Sequence, residues 1–158
     1  MTPSDPKDLR RDLRPRLQQW AAELGFQQLG VTGVELTADE GHLGEWLRAG
    51  WHGDMRYMER HGMRRARPAE LRPGTLRVIS VRMDYWPGNA QDAAQTLANG
   101  ATGYISRYAL GRDYHKLMRQ RLQRLATRVT DAIGPFGYRV FVDSAPVLEK
   151  ALARNGGL

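Results

Sequence analysis

Residues 141–158 read FVDSAPVLEKALARNGGL, and this stretch decides how the last part of the chain is expected to fold. Apolar side chains alternate over residues 138–142, a pattern typical of a β-strand. Ser144 is a suitable helix N-cap, and Pro146 suits the first turn of a helix. Asp143 therefore stands where a predicted strand meets a predicted helix.

Upstream of this stretch, helical and strand patterns alternate along the chain. We predict a helix over residues 13–24, a strand over 26–32, a helix opened by a T-x-x-E capping box at 37–40, a short helix near 55–60, a strand over 76–85, a long polar loop over 86–103 and a long helix from Asp113 to Ile133. This order predicts an α/β (α+β) sandwich, in which a mixed sheet is flanked by helices.

The composition excludes several classes of site. The 158 residues are 41% hydrophobic, which is enough for one folded domain with a core. No cysteine is present, so these residues supply no disulfide and no thiolate ligand for a metal or an iron–sulfur cluster. The four histidines form no HxH or HExxH pair, and no metal site is predicted. The sequence shows neither a membrane-spanning run nor a signal peptide, so we expect a cytoplasmic protein with no membrane partner.

The net charge of +7 comes largely from arginine. Arginines concentrate in residues 56–77 and again in residues 112–128. The guanidinium group binds phosphate oxygens through two parallel hydrogen bonds, so such clusters favour phosphate contacts. The alternative is a solvated surface, and for residues 112–128 the two interpretations are equally supported. For the turn-rich segment 56–77, phosphate contact is favoured.

Four segments together resemble one enzyme family. They are WAAELGFQQLGVT at 20–32, RRARPAELRPG at 64–74, GYISRYALGRDYHKLMRQRLQRLA at 103–126 and VFVDSAPVLEKALARNGGL at 140–158. They are similar to the N-terminal domain of epoxyqueuosine reductase, a cobalamin-dependent enzyme that completes queuosine at the wobble position of tRNA. The resemblance implies a cobalamin- and substrate-binding domain over residues 13–158, which follows a basic extension at 1–12. It also implies tRNA as a partner.

The resemblance also implies roles for three residues. Asp143 matches the family's proton donor and contacts cobalamin, while Arg65 and Ser106 match further cobalamin-contacting positions. Loss of the epoxide oxygen as water requires protonation, which a carboxylic acid can supply. Taken without the family, the sequence favours a helix-initiating role for Asp143. Arg65 is then equally suited to lie in solvent, and Ser106 to occupy a turn or a strand end. His115 is expected to form a hydrogen bond within the DYH turn and not to bind cobalt.

Members of the family are longer than this chain. They continue into a ferredoxin-like domain with eight cysteines for two 4Fe–4S clusters, and no such ligand is present here. The resemblance therefore implies a fragment whose sheet is incomplete relative to the full family and which is inactive alone. A separate or missing C-terminal iron–sulfur domain would be its partner. The alternative function is a non-catalytic, basic RNA-binding module.

Overall fold

The structure is a computed structural model that describes residues 6–86 and 92–158, with side chains from residue 13 onward. Its two strands are β1 (Gln28–Thr32) and β2 (Val78–Arg82). Its helices are α1 (Pro6–Glu23), α2 (Thr37–Arg48), α3 (Arg56–His61), α4 (Pro68–Leu71), α5 (Ala93–Ala98), α6 (Tyr114–Ile133) and α7 (Glu149–Asn155). Short 3₁₀ turns cover Gly62–Ala66 and Arg107–Ala109. The predicted class, α/β with flanking helices, is confirmed.

The sheet in the described residues is two-stranded and antiparallel. Leu29 lies opposite Val81, and Gly30 lies opposite Ser80. Because side chains alternate along a strand, Leu29 and Val81 share one face of the sheet and Gly30 lies on the other. Each face can therefore be covered by a different set of helices.

Helices α1 and α6 cover the first face. Leu17 of α1 is buried together with Leu125 and Val129 of α6, and Leu29 and Val81 pack against this cluster. The spacing of these residues along each helix is that of an amphipathic stripe, as the sequence predicts. An ion pair with 2.5 Å between Arg128 Nη1 and a Glu23 carboxylate oxygen also joins α6 to α1.

Helix α7 covers the second face together with the chain around α2. Leu152 of α7 is buried with Leu36 and Ala66, and Val78 of β2 packs against them. Gly30 permits this arrangement: a Cβ at this position would overlap the Gly156 carbonyl oxygen and lie 2.8 Å from its carbonyl carbon. The backbone at the end of α7 therefore rests directly on β1.

The third predicted strand, over residues 138–142, does not form, and this expectation was wrong. A strand needs a neighbour to accept and donate its backbone hydrogen bonds. In the described residues, β1 and β2 pair with each other, and no ladder joins either strand to this segment. Instead, the Gln123 side-chain amide of α6 donates to the Tyr138 hydroxyl, so the segment runs beside a helix.

The last helix also begins later than predicted. Its N-cap is Leu148, not Ser144, and Pro146 precedes the helix. Proline disfavours a helical conformation in the residue before it. Here the Val147 amide donates to the Ala145 carbonyl at 2.9 Å, so a tight turn occupies the positions where a helix was expected.

The starts of α2 and α1 also differ from prediction. The T-x-x-E capping box is absent, because Leu36 is the N-cap of α2 and makes no side-chain cap bond. The Glu40 carboxylate accepts hydrogen bonds from Arg67 instead, at 2.6 and 3.0 Å. Helix α1 begins at Pro6, ahead of the start at residue 13 that the sequence predicts for the first helix. The predicted cap at Asp113 is confirmed, since its carboxylate accepts from the His115 amide at 2.9 Å.

The contact between β1 and α7 gives a stability prediction. Gly30→Ala should lower the free energy of unfolding by ~1–3 kcal/mol, because the new methyl group must displace backbone at the end of α7. Urea denaturation of the purified chain measures this change. Gly33→Ala is the matched control, since a Cβ there meets nothing within 4 Å. Equal stability of the two variants would contradict the packing described.

Candidate functional site

Asp143 follows the extended segment that runs beside α6. Its φ of 52° lies in the left-handed region, which aspartate tolerates better than most residues. It is the one non-glycine residue with positive φ in the part of the chain that the structure describes. The side chain is 52% exposed, so its carboxylate is open to a ligand from solvent.

The first turn of α6 presents two side chains to this carboxylate. The Tyr114 hydroxyl donates a hydrogen bond to Asp143 Oδ2. His115 Nε2 lies 3.5 Å from the same oxygen. The two rings stack with their centroids 4.0 Å apart, which fixes their relative orientation. Within the described residues, no hydrogen bond reaches Asp143 Oδ1, so that oxygen remains available to a substrate.

His115 connects Asp143 to a second carboxylate. Its Nδ1 lies 3.0 Å from Asp113 Oδ1, the oxygen that also caps α6. A neutral imidazole has one N–H and donates to one carboxylate, whereas a protonated imidazole can donate to both. The hydrogen bond predicted within the DYH turn is present, and the fold extends it towards Asp143.

The contacts shift the pKa values of three groups. The hydrogen bond to Asp143, together with burial, raises the pKa of Tyr114 to about 12, so its hydroxyl keeps the proton it donates at neutral pH. The side-chain and backbone hydrogen bonds from His115 lower the pKa of Asp113. Partial burial, and then the charge of Asp143, raise the pKa of Glu149 at the start of α7.

Arg65 is buried behind the loop that follows Asp143. Its guanidinium donates to the carbonyl oxygens of Tyr57 at 2.7 Å and Met58 at 3.4 Å. Its own carbonyl accepts from the Leu148 amide at 3.0 Å. In the described part of the chain no contact joins this guanidinium to Asp143, so Arg65 ties α3 to the start of α7.

Ser106 is linked to the Asp143 carboxylate through two tyrosines, Tyr108 and Tyr114. It is exposed and precedes the 3₁₀ turn Arg107–Ala109, where its hydroxyl makes no capping bond. Tyr108 of this turn meets Tyr114 edge to face, with ring centroids 6.1 Å apart. The structure thus brings the Ser106 turn to Tyr114, and Tyr114 to Asp143.

The arginines of residues 56–77 are not a uniform solvated surface. Arg67 donates to Glu40 and, at 3.0 Å, to Glu70, so its charge is already neutralised within the fold. Arg65 is buried and bonded to backbone. Arg64 is exposed and remains accessible to an external anion.

No pattern in the sequence indicates a role for Tyr114. The available signal was its position: it follows the capping Asp113 directly, so it projects from the first turn of a helix. What the sequence does not contain is the path of residues 134–143, which carries Asp143 back to that turn.

A scan of protein families matches residues 65–144 to the family described as Epoxyqueuosine reductase QueG, DUF1730. The chain belongs to this family. The matched region begins at Arg65, contains Ser106 and ends just after Asp143. All three residues selected by the earlier resemblance therefore lie inside it.

Curated relatives support the same family. The chain is 58% identical over its whole length to an epoxyqueuosine reductase of Pseudomonas aeruginosa, of which it covers 42%. It is 59% identical over 93% of its length to the Xanthomonas campestris pv. campestris enzyme, covering 41% of it, and 54% identical over 98% to that of Escherichia coli, covering 40%. The chain thus spans about two fifths of the length of these relatives. A search of the solved structures returned no match.

In residues 6–86 and 92–158, no group of three or more His, Cys, Asp or Glu side chains is arranged to hold a metal ion. None of the helices described there is both long and apolar enough to cross a membrane.

The Tyr114–Asp143 hydrogen bond predicts a specific pH dependence of stability. The folded pKa of Tyr114 lies above its ordinary value of 10.0, so the bond stabilises the fold fully below pH 10 and is lost as the pH rises through about 12. Tyr114→Phe should therefore be less stable than the wild type near neutral pH, and the difference should shrink over this window. Urea denaturation at a series of pH values measures it.

Tyr85→Phe provides the control, because Tyr85 is exposed and lies outside the site. Its stability should follow that of the wild type across the same window. A gap between wild type and Tyr114→Phe that stays constant from pH 10 to pH 12 would contradict the hydrogen bond.

Proposed function

We propose that this chain forms the part of an epoxyqueuosine reductase that protonates the substrate and contacts cobalamin. One observation carries the proposal: Tyr114 and His115 converge on one oxygen of Asp143, and the other oxygen is open within the described residues. The family match covers all three of these residues. The names of the relatives supply the reaction.

Asp143 is proposed as the general acid. Conversion of an epoxide to an alkene breaks both C–O bonds, consumes two electrons and two protons and releases water. The open Oδ1 can deliver a proton to the leaving oxygen. Tyr114, which donates to Oδ2, holds the carboxyl group in one orientation. The exposed Oδ1 can take a proton back from solvent after each turnover, while His115, 3.5 Å from Oδ2, helps to hold that second oxygen in place.

The exposed polar groups of the site can form hydrogen bonds with the side chains at the edge of cobalamin. Corrin side chains carry amides, which donate and accept hydrogen bonds, and both the Ser106 hydroxyl and the Asp143 carboxylate are exposed to meet them. Arg65 would contribute indirectly, by holding the start of α7 in place through Leu148. Cobalamin, when bound, would supply the two electrons.

Iron–sulfur clusters do not fit the residues of this chain, because it contains no cysteine. We therefore assign no step to a cluster held here. Reduction of cobalamin would depend on a partner, such as the iron–sulfur domain implied by the family. We propose tRNA as the substrate and the cytoplasm as the compartment; the net charge of +7 supports an RNA partner.

A non-catalytic RNA-binding module remains the second candidate function. It is favoured by exposed arginines that have no ion pair in the described part of the chain, Arg64 and Arg124 among them. Such a module would not require Tyr114 and His115 to converge on one carboxylate oxygen of Asp143. The two candidates differ in whether Asp143 matters for turnover.

The test replaces the matched part of the Pseudomonas aeruginosa relative with this chain and introduces Asp143→Asn. Loss of a general acid should lower the rate roughly 100- to 10,000-fold, while cobalamin content and melting temperature change little, because the asparagine oxygen still accepts from Tyr114. Queuosine and epoxyqueuosine in tRNA, quantified by mass spectrometry, give the rate. Asp131→Asn, at an exposed position near the end of α6, is the matched control.

Near-normal turnover of the Asp143→Asn chimaera would remove Asp143 from catalysis. A lower melting temperature with normal turnover per folded molecule would assign it a purely structural role.

We also expect the isolated chain not to reduce epoxyqueuosine in multiple turnovers, since it holds no cluster ligand to relay electrons. Incubation with cobalamin, an enzymatic reductant and epoxyqueuosine-containing tRNA, followed by mass spectrometry, measures this. A trace of product from cobalamin reduced in free solution is expected and is measured in a control without protein. Sustained turnover above that control would contradict the expectation.

A further inference from the structure

A cleft lies beside Asp143, between α6 and the extended segment over residues 138–142. Its volume is about 460 Å³, which is within the range of cavities that take small-molecule ligands. Arg119 and Gln123 line its helical side, and Arg139, Phe141 and Ser144 line the other. Ser144 follows Asp143 directly in the chain, so one of the lining residues is the sequence neighbour of the candidate acid.

The cleft is electropositive. No carboxylate is among the residues that line it. In the described residues neither Arg119 nor Arg139 has a carboxylate within ion-pair distance, unlike Arg67 and Arg128. Two guanidinium groups facing one cavity without a counter-ion are suited to a phosphate.

The cleft also has an apolar wall. Phe141, Val140 and Pro146 line it together with the arginines. The guanidinium of Arg139 lies 4.9 Å from the centre of the Phe141 ring, so a cation–π pair forms part of the surface. A phosphate alone would not need such a wall. A nucleotide within a single strand presents both a phosphate and a flat base.

A hydrogen bond holds the extended segment over residues 138–142 to α6. The Gln123 amide donates to the Tyr138 hydroxyl, and this fixes the spacing between helix and segment at one end of the cleft. At the other end, the Tyr114 hydroxyl holds Asp143. The cleft is therefore formed by the fold before any ligand arrives.

We propose that this cleft binds one nucleotide of single-stranded RNA, with its phosphate at Arg119 and Arg139 and its base against Phe141. This inference rests on the proposed function, in which RNA is the substrate. It adds the position of the RNA strand on the protein. A nucleotide held there would place the next one along the strand beside Asp143.

The test measures binding of fluorescein-labelled oligouridylate to the purified 158-residue chain by anisotropy over a series of salt concentrations. Replacing both cleft arginines, by Arg119→Gln with Arg139→Gln, should lower the slope of log affinity against log salt by ~0.7, since the pair holds one phosphate and each phosphate contact to a single strand contributes ~0.7. The matched control, Arg14→Gln with Arg48→Gln, removes two exposed charges outside the cleft and should leave the slope unchanged. Melting temperatures establish that each variant is folded.

A third variant tests the apolar wall. Phe141→Leu keeps an apolar side chain but removes the flat ring, and it should weaken oligouridylate binding roughly fivefold or more. Inorganic phosphate and uridine monophosphate serve as competitors and distinguish a free phosphate from a strand. Both should compete far less well than unlabelled oligouridylate.

Two results would overturn the proposal: slope changes that are equal in the cleft and control pairs, including no change in either, or phosphate competing as well as the oligonucleotide. Because no cobalamin or turnover is involved, failure here leaves the proposed reaction standing. Conversely, an inactive chimaera leaves RNA binding in the cleft standing.

Discussion

The close approach of the Gly156 backbone to Gly30 determines how the last helix, α7, packs against the sheet. A sheet of two strands has little surface with which to hold helices, and one of its faces is already covered by α1 and α6. Only because β1 carries no side chain at Gly30 can the end of α7 lie directly on the other face. The position of α7 then fixes the loop before it, and Asp143 lies at the start of that loop.

The candidate site is built from two chain segments that are both held at their ends. Helix α6 begins at Asp113, whose carboxylate fixes the first turn and the His115 ring together. The segment after α6 returns beside the helix, where Gln123 holds Tyr138. Asp143 is thus held opposite the start of the helix that precedes it in sequence. Its neighbours therefore set the orientation of the Asp143 carboxylate, and in the described residues no hydrogen bond reaches its other oxygen.

The arginines that give the chain its charge serve different purposes. Arg128 pairs with Glu23, and Arg67 with Glu40 and Glu70, so their charges stabilise contacts between elements. Arg65 is buried against backbone carbonyls. Arg119 and Arg139 line a cleft that contains no carboxylate in the described residues. Density of arginine along the sequence therefore did not identify the electropositive cavity, because the partners that neutralise a guanidinium come from distant segments.

The sequence by itself determined the elements whose signals are local. The amphipathic stripes of α1 and α6, the strands at β1 and β2 and the cap at Asp113 follow from spacing and capping chemistry within one element. The family could also be identified from short segments. Only the tertiary structure decided that residues 138–142 form no strand. An alternating pattern indicates that a segment can pair in a β-sheet, but it does not indicate whether the edge of another strand lies beside that segment. The tertiary structure also decided that Tyr114 and His115 meet Asp143, since that contact depends on the path of the chain after α6 and not on any property of the three residues alone.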